Sequence, residues 1–270
     1  MSMFDLGGKV AVVTGATKGI GLGIAQAMAA QGARVVVASR DATLCDQVAG
    51  ELNDEFGKGQ DIARGLRFDL EDRAGIEGFA AAATAIWGGV DILVCNAAVL
   101  PYIGPSAQTP PELFDRILTG NIHHNFRLCQ ALRASMAGRG GGSIALIGSE
   151  AGYSSSPLVL AYAAAKAGLA HMAVCLADEM ADERIRVNCV APGLVRSFSS
   201  TEKLTAAGLD AIGASLPLGR VGEPADVAGA VVYLASQAGS HVTGETILVD
   251  GGRSRLSARQ LSPLASVEPG

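Results

Sequence analysis

The sequence predicts an α/β fold: a parallel sheet with helices on both faces. Three observations predict it. Short apolar runs such as Val10-Ala-Val-Val13, Val35-Val-Val-Ala38 and Ile92-Leu-Val-Cys95 alternate with longer helix-forming stretches along most of the chain. Strands covered on both faces read as such continuous runs, and strand–helix alternation makes the sheet parallel with right-handed crossovers. The composition, 49% hydrophobic but only 4% aromatic, asks for a core of Ala, Val, Leu and Ile. Finally, a glycine-rich turn joins the first apolar run to the first helix, where backbone N–H groups are able to meet a phosphate.

The 270 residues suit one domain over 1–252 with a flexible tail over 253–270, rich in Ser, Arg and Pro. A net charge of −5 argues against a nucleic-acid partner. The sequence offers no apolar run expected to span a membrane and no signal peptide at the N-terminus, so the expected location is cytoplasmic. Cys45, Cys95, Cys129, Cys175 and Cys189 are scattered without metal-ligand spacing, which predicts reduced buried thiols. The four histidines form no zinc pattern, and His123 and His124 read as structural or surface residues. No metal is expected.

The first strand is Lys9-Val-Ala-Val-Val-Thr14. It breaks into Gly15-Ala-Thr-Lys-Gly-Ile-Gly21, and a helix follows over 20–31. The spacing is Gly-x-x-x-Gly-x-Gly, unlike the commoner Gly-x-Gly-x-x-Gly fingerprint. The second strand, 34–38, leads to Ser39 and Arg40. An acidic residue at this tip suits a ribose 2′-hydroxyl, whereas an arginine suits a 2′-phosphate. Arg40, with Lys18 in the glycine turn, therefore predicts NADP(H). Asp41 at the tip instead of Ser39 would favour NAD.

A helix over 42–56 and a turn over 57–61 precede the third strand, 64–68. Asp69 and Leu70 either meet an adenine at that strand's tip or Asp69 caps the next helix, 73–87. The fourth strand, 90–95, ends at Asn96-Ala-Ala98. The loop 99–111 is rich in proline and apolar residues and follows a strand's carboxyl end, where open α/β sheets bind ligands. One long helix is expected over 111–136, carrying Asn121, with Gly120 a point of distortion. The fifth strand, 143–148, ends at Ser149.

Tyr162 and Lys166 share one helical face, a turn apart. A free phenol titrates near about 10, too high for efficient proton exchange at neutrality. A neighbouring ammonium lowers that value, and a serine hydroxyl at a strand end is able to orient the same carbonyl oxygen. The sixth strand, 184–190, breaks at Ala191-Pro-Gly193. Residues 194–216 read as a mobile insertion with one or two short helices, a candidate lid. Pro224 opens a helix to 235, and the last strand is 245–250.

Gly15, Arg40, Asp69, Asn96, Ser149 and Pro192 thus all fall at or just after strand carboxyl ends, on one edge of such a sheet. Over residues 9–252 these features, in order, resemble the short-chain dehydrogenase/reductase family. Thr14–Gly21 resembles its cofactor loop. Asn96-Ala-Ala98 resembles its Asn-Ala-Gly, with Ala98 a departure. Ser149, Tyr162 and Lys166 match its catalytic residues, and Asn121 falls where the family has an Asn that holds a water in a proton relay. Pro192-Gly-Leu-Val-Arg-Ser197 resembles its Pro-Gly-x-x-x-Thr segment, with the hydroxyl kept by Ser197.

The resemblance implies a doubly wound Rossmann fold with a seven-stranded parallel sheet in the order 3-2-1-4-5-6-7. It also implies a homotetramer packed through the Asn121 and Tyr162 helices, and a flavour close to carbonyl and 3-oxoacyl-thioester reductases. The catalytic set is then Asn121, Ser149, Tyr162 and Lys166. The cofactor set is Gly15, Thr17, Lys18, Gly19, Ile20, Gly21, Ser39, Arg40, Asp69, Leu70, Asn96, Ala97, Ala98, Tyr162, Lys166, Pro192, Gly193, Val195 and Ser197. Candidate substrate-pocket residues are Leu100, Tyr102, Glu150, Tyr153, Leu194 and Phe198. The expected activity is NADPH-dependent reduction of a small-molecule ketone, reversible as alcohol oxidation. An NAD-dependent alcohol dehydrogenase of the same fold and a non-catalytic dinucleotide-binding regulator are the alternatives.

Overall fold

A computed structural model describes residues 2–100, 102–197 and 204–256. Among these residues, seven parallel strands form one sheet in the order β3-β2-β1-β4-β5-β6-β7. The strands are β1 Val10–Thr14, β2 Arg34–Ser39, β3 Ala63–Arg67, β4 Ile92–Cys95, β5 Gly142–Ile147, β6 Ile185–Pro192 and β7 Thr246–Val249. The sheet order expected from the family resemblance is the order found.

Helices cover both faces. On one lie α1 Gly19–Ala30, α2 Ala42–Phe56 and α8 Pro224–Ala235; on the other lie α3 Ile76–Trp87, α5 Asn125–Gly138 and α6 Leu160–Glu179. Successive strand residues feed opposite cores, as period-two geometry requires. Ala11 and Val13 pack with Ile24, Met28 and Val231, while Val12 packs on the side of Leu128, Leu132 and Leu169. The order in which successive strands are added switches direction between β1 and β4, opening a crevice at their carboxyl ends.

Several expectations need correction. The single helix expected over 111–136 is divided into α4 Pro111–Leu118, a π-helical stretch Thr119–His124, and α5. A side chain at Gly120 would collide with Val99 Cγ2, so glycine lets the chain pass close to that loop. Asn121 Nδ2 donates to the Ile117 and Val99 carbonyls at 3.0 and 2.9 Å, which holds the widened turn. The sixth strand continues through Pro192 because β7 pairs with it as far as Val249.

The helical stretch Pro157–Glu179, which includes α6, is long and apolar enough to cross a bilayer, contrary to the sequence expectation. Here Leu169, Ala173 and Leu176 pack it onto the sheet. Cys45, Cys95, Cys129 and Cys189 are buried as expected, but Cys175 is exposed. Of the candidate lid, the structure describes α7 Ala206–Ser215 and a bridge between Val195 and Gly222; residues 198–203, including Phe198, lie outside the described residues. So does 257–270 of the tail, whereas residues 253–256 fold back on the domain.

Candidate active site

A cleft of about 780 Å³ runs along the carboxyl edge of the sheet. Every residue named above for the cofactor lines it, together with Ser149, Leu100 and Leu194. The glycine turn forms one wall. Gly15 has φ +65°, and a side chain at Gly21 would collide with the Gly15 carbonyl oxygen. The bare backbone therefore faces the cleft at the start of α1, a helix end suited to phosphate.

Asn96 stands behind this turn. Its Nδ2 donates to the Thr14 and Gly15 carbonyls at 2.9 and 3.1 Å. Thr14, the first residue of the resembled cofactor loop but not among the expected site residues, is buried, and its Oγ1 accepts from the Asn96 and Ala97 N–H groups, both at 3.0 Å. A threonine at a strand tip carries no distinctive pattern; its role follows from β1 lying beside β4.

At the next strand tip, β2 ends at Ser39, whose hydroxyl meets Thr17 at 3.2 Å. Arg40 is exposed on the cleft rim. Asp41 is turned away: its Oδ1 caps α2 by accepting from Leu44 N at 3.1 Å. Asp69 also lines the cleft, and its Oδ1 accepts from Glu71 N at 3.1 Å. Its carboxylate serves a local turn, while Asp72 caps the short helix that follows. His124 is buried, with its Nδ1 2.5 Å from the Leu70 carbonyl, the structural role expected of it.

The other end of the cleft holds Ser149, Tyr162 and Lys166. Ser149 follows β5, and its Oγ accepts from Ala151 N at 3.2 Å. Lys166 is 2% exposed; its Nζ donates to the Ile147 carbonyl at 2.7 Å and sits 5.4 Å from the Tyr162 ring centroid. The two side chains therefore share a face as the spacing predicts.

The expected lowering of the phenol's pKa is not found in the chain alone. Burial pushes Tyr162 up to about 12, against a bond from Ser149 that lowers it. Burial likewise pulls Lys166 down to about 8. The ammonium is spent on the strand-end carbonyl and the ring face, so desolvation dominates the phenol.

Asn121 is buried one layer back, and its Oδ1 has no hydrogen-bond partner among the protein atoms. Tyr102, Glu150 and Tyr153 do not line the cleft. Tyr153 donates to Thr246 Oγ1 at 2.7 Å on the β7 side, and Glu150 pairs with Arg253 at 3.0 Å. The cleft adds Val99, Leu113, Leu204 and a fork from Arg116 to Glu71. Leu113 and Arg116 are three apart on α4, and that helical face was the available signal.

Comparison with known proteins agrees with this geometry. Residues 15–254 match the family described as enoyl-(acyl carrier protein) reductase. Dehydrogenase/reductase SDR family member 4 of Bos taurus is 40% identical over 250 residues, 92% of this chain and 88% of its own. A solved gluconate 5-dehydrogenase from Burkholderia cenocepacia J2315, in complex with NADP and tartrate, has a TM-score of 0.87. It is 30% identical, with 94% of this chain and 98% of that one covered. A 7α-hydroxysteroid dehydrogenase complexed with NADH and 7-oxo glycochenodeoxycholic acid has a TM-score of 0.85 at 34% identity, covering 92% and 95%. A match spanning nearly the whole sheet, with relatives this similar over this length, means that the chain belongs to the short-chain dehydrogenase/reductase family of oxidoreductases.

Proposed function

We propose that the chain is an NADPH-dependent ketone reductase, reversible as a secondary-alcohol dehydrogenase. The observation that carries this reading is the convergence of Ser149, Tyr162 and Lys166, with the Lys166 ammonium 5.4 Å from the Tyr162 ring centroid, in the cleft that also carries Arg40 and Lys18. The residues fit a dinucleotide. The glycine turn leaves backbone open where a pyrophosphate would lie, and the rim cations suit a 2′-phosphate. Asp41, the residue that would favour NAD, is occupied in capping α2.

A bound nicotinamide cofactor supplies the hydride in reduction and accepts it in oxidation. The chain does the rest. Ser149 and Tyr162 hold the substrate oxygen by their hydroxyls. Tyr162 gives its proton to that oxygen as negative charge develops there. Lys166 stabilises the phenolate left behind, and Asn121 supports the route by which the proton is replaced. Leu100 and Leu194 offer the substrate a mainly apolar wall. We extend the reading to a cytoplasmic homotetramer; sedimentation at about four times the 27.4 kDa chain mass checks the assembly.

The test is the initial rate of NADPH and NADH oxidation against aryl ketones, cyclic diketones, keto esters and 3-oxoacyl thioesters. Turnover favouring NADPH by at least about tenfold supports the reading, and Arg40→Asp should reverse or erase that preference. Equal or better rates with NADH would defeat the cofactor assignment. Tight cofactor binding without turnover on any carbonyl would defeat the reductase assignment.

A further inference from the structure

The sequence reading put Glu150 in the substrate pocket; the fold puts it beneath the site. It follows Ser149 directly, and its side chain is 14% exposed. Oε1 lies 3.0 Å from Arg253 Nη1, while Oε2 is buried without a hydrogen-bond partner among the protein atoms. A buried carboxylate is costly unless paired, so its position calls for a reason.

Three segments converge on it. Asp250, at the end of β7, accepts from Gly252 N at 2.9 Å and Ser254 N at 2.8 Å. This folds residues 251–254 back and aims Arg253 at Glu150. A Cβ added at Gly193 would lie 2.8 Å from Asp250 Cα and 3.3 Å from Glu150 Oε2, so Gly193 leaves room for the carboxylate to reach across the end of β6. Gly193 N also donates to the Val249 carbonyl at 2.9 Å. Tyr153, at the far end of the same turn, donates to Thr246. The turn over 150–153 is thus tied at both ends to the β7 side, and its Ala151 N–H bonds the Ser149 hydroxyl.

We infer that Glu150 is a positioning residue: gripped by Arg253, it fixes the Ser149 hydroxyl and the Pro192-Gly193 corner against the segment that follows β7. The inference rests on the reading of Ser149 as a holder of the substrate oxygen. Three influences act on the Glu150 charge. Burial raises its pKa, Arg253 lowers it and Asp250 raises it. Removing Arg253 therefore makes Glu150 take up a proton at higher pH, slackening the turn on the acid side.

The experiment compares Glu150→Gln, Arg253→Ala and Arg253→Lys. Arg253 is half exposed, so its variants should fold. The first readout is amide hydrogen exchange in the apoenzyme, which needs no turnover. Exchange over 149–153 should rise in Glu150→Gln and Arg253→Ala and return towards wild type in Arg253→Lys. The second is kcat against pH with the best carbonyl of the panel. Glu150→Gln should lose about ten- to a hundredfold in kcat with KM nearly unchanged. Arg253→Ala should show an acid limb displaced to higher pH, which Arg253→Lys restores. Exchange that changes only over 251–256, with kcat within about twofold of wild type, would overturn the inference. If the wild-type protein reduces no carbonyl, the reductase reading fails and the exchange decides alone: unchanged protection of 149–153 would overturn the positioning role.

Discussion

At the residue scale, the proposed chemistry turns on Tyr162 and Lys166, two groups whose charges are both disfavoured. With its phenol pushed up to about 12, Tyr162 is protonated at neutral pH, the form that the proposed reduction requires of a proton donor. The opposite direction needs the phenolate. Reduction should therefore hold a plateau through neutrality, while alcohol oxidation should climb as pH rises; parallel profiles would count against Tyr162 as the proton donor. Tyr162→Phe should cost at least about a hundredfold in turnover and leave cofactor affinity within a few-fold, as fluorescence titration would show.

Lys166 makes a stability prediction. Its folded value of about 8 lies below its ordinary value of 10.5, so the folded chain binds fewer protons than the unfolded one between them. Stability from this group thus rises as pH climbs through that window, and below about 8 the full penalty remains. Relative to Lys166→Met, the wild-type apoenzyme should gain up to about 3 kcal/mol between pH 8 and 10.5, read by urea unfolding. Identical pH slopes in the two proteins would refute this.

At the element scale, the site is built from strand tips and the turns that leave them. The Gly15–Gly21 turn was legible because its glycines fall between an apolar run and a helix. Why Gly21 must be glycine was not legible: it is the Gly15 carbonyl, folded against it, that excludes a side chain. Gly21→Ala should weaken dinucleotide binding by more than about tenfold, by calorimetry, while far-ultraviolet circular dichroism stays unchanged. Binding as tight as wild type would mean that the turn relaxes without cost. The division of the helix after residue 118 was only half legible. Gly120 marked the place, but the π turn arises where Val99, twenty-one residues earlier in sequence, lies against it.

At the scale of the whole molecule, the edge of the sheet opposite the cleft carries the ties. Asp91 is 2% exposed and accepts from Val10 N at 2.9 Å, Arg139 Nη2 at 2.8 Å and Lys9 Nζ at 3.3 Å. It joins β1, the approach to β4 and the end of α5. Asp91→Ala leaves the buried Val10 N–H unpaired and should cost about 2–4 kcal/mol in chemical unfolding, with kcat unchanged well below the melting temperature. A large loss of kcat with intact stability would mean that this edge communicates with the site.

Sequence alone was enough for the fold class and for most of the cleft lining. Strand–helix alternation forces the strands parallel, and parallel strands bring residues at their carboxyl ends to one edge. Gly15, Arg40, Asn96, Ser149 and Pro192 needed only that periodic argument. Tertiary structure alone decided the fate of groups whose partners are distant in sequence. Lys166 bonds the Ile147 carbonyl instead of the Tyr162 phenol. Tyr153 and Glu150 turn away from the cleft towards Thr246 and Arg253. Period fixes which face of an element a side chain leaves from, but burial and pairing depend on what the fold packs against that face.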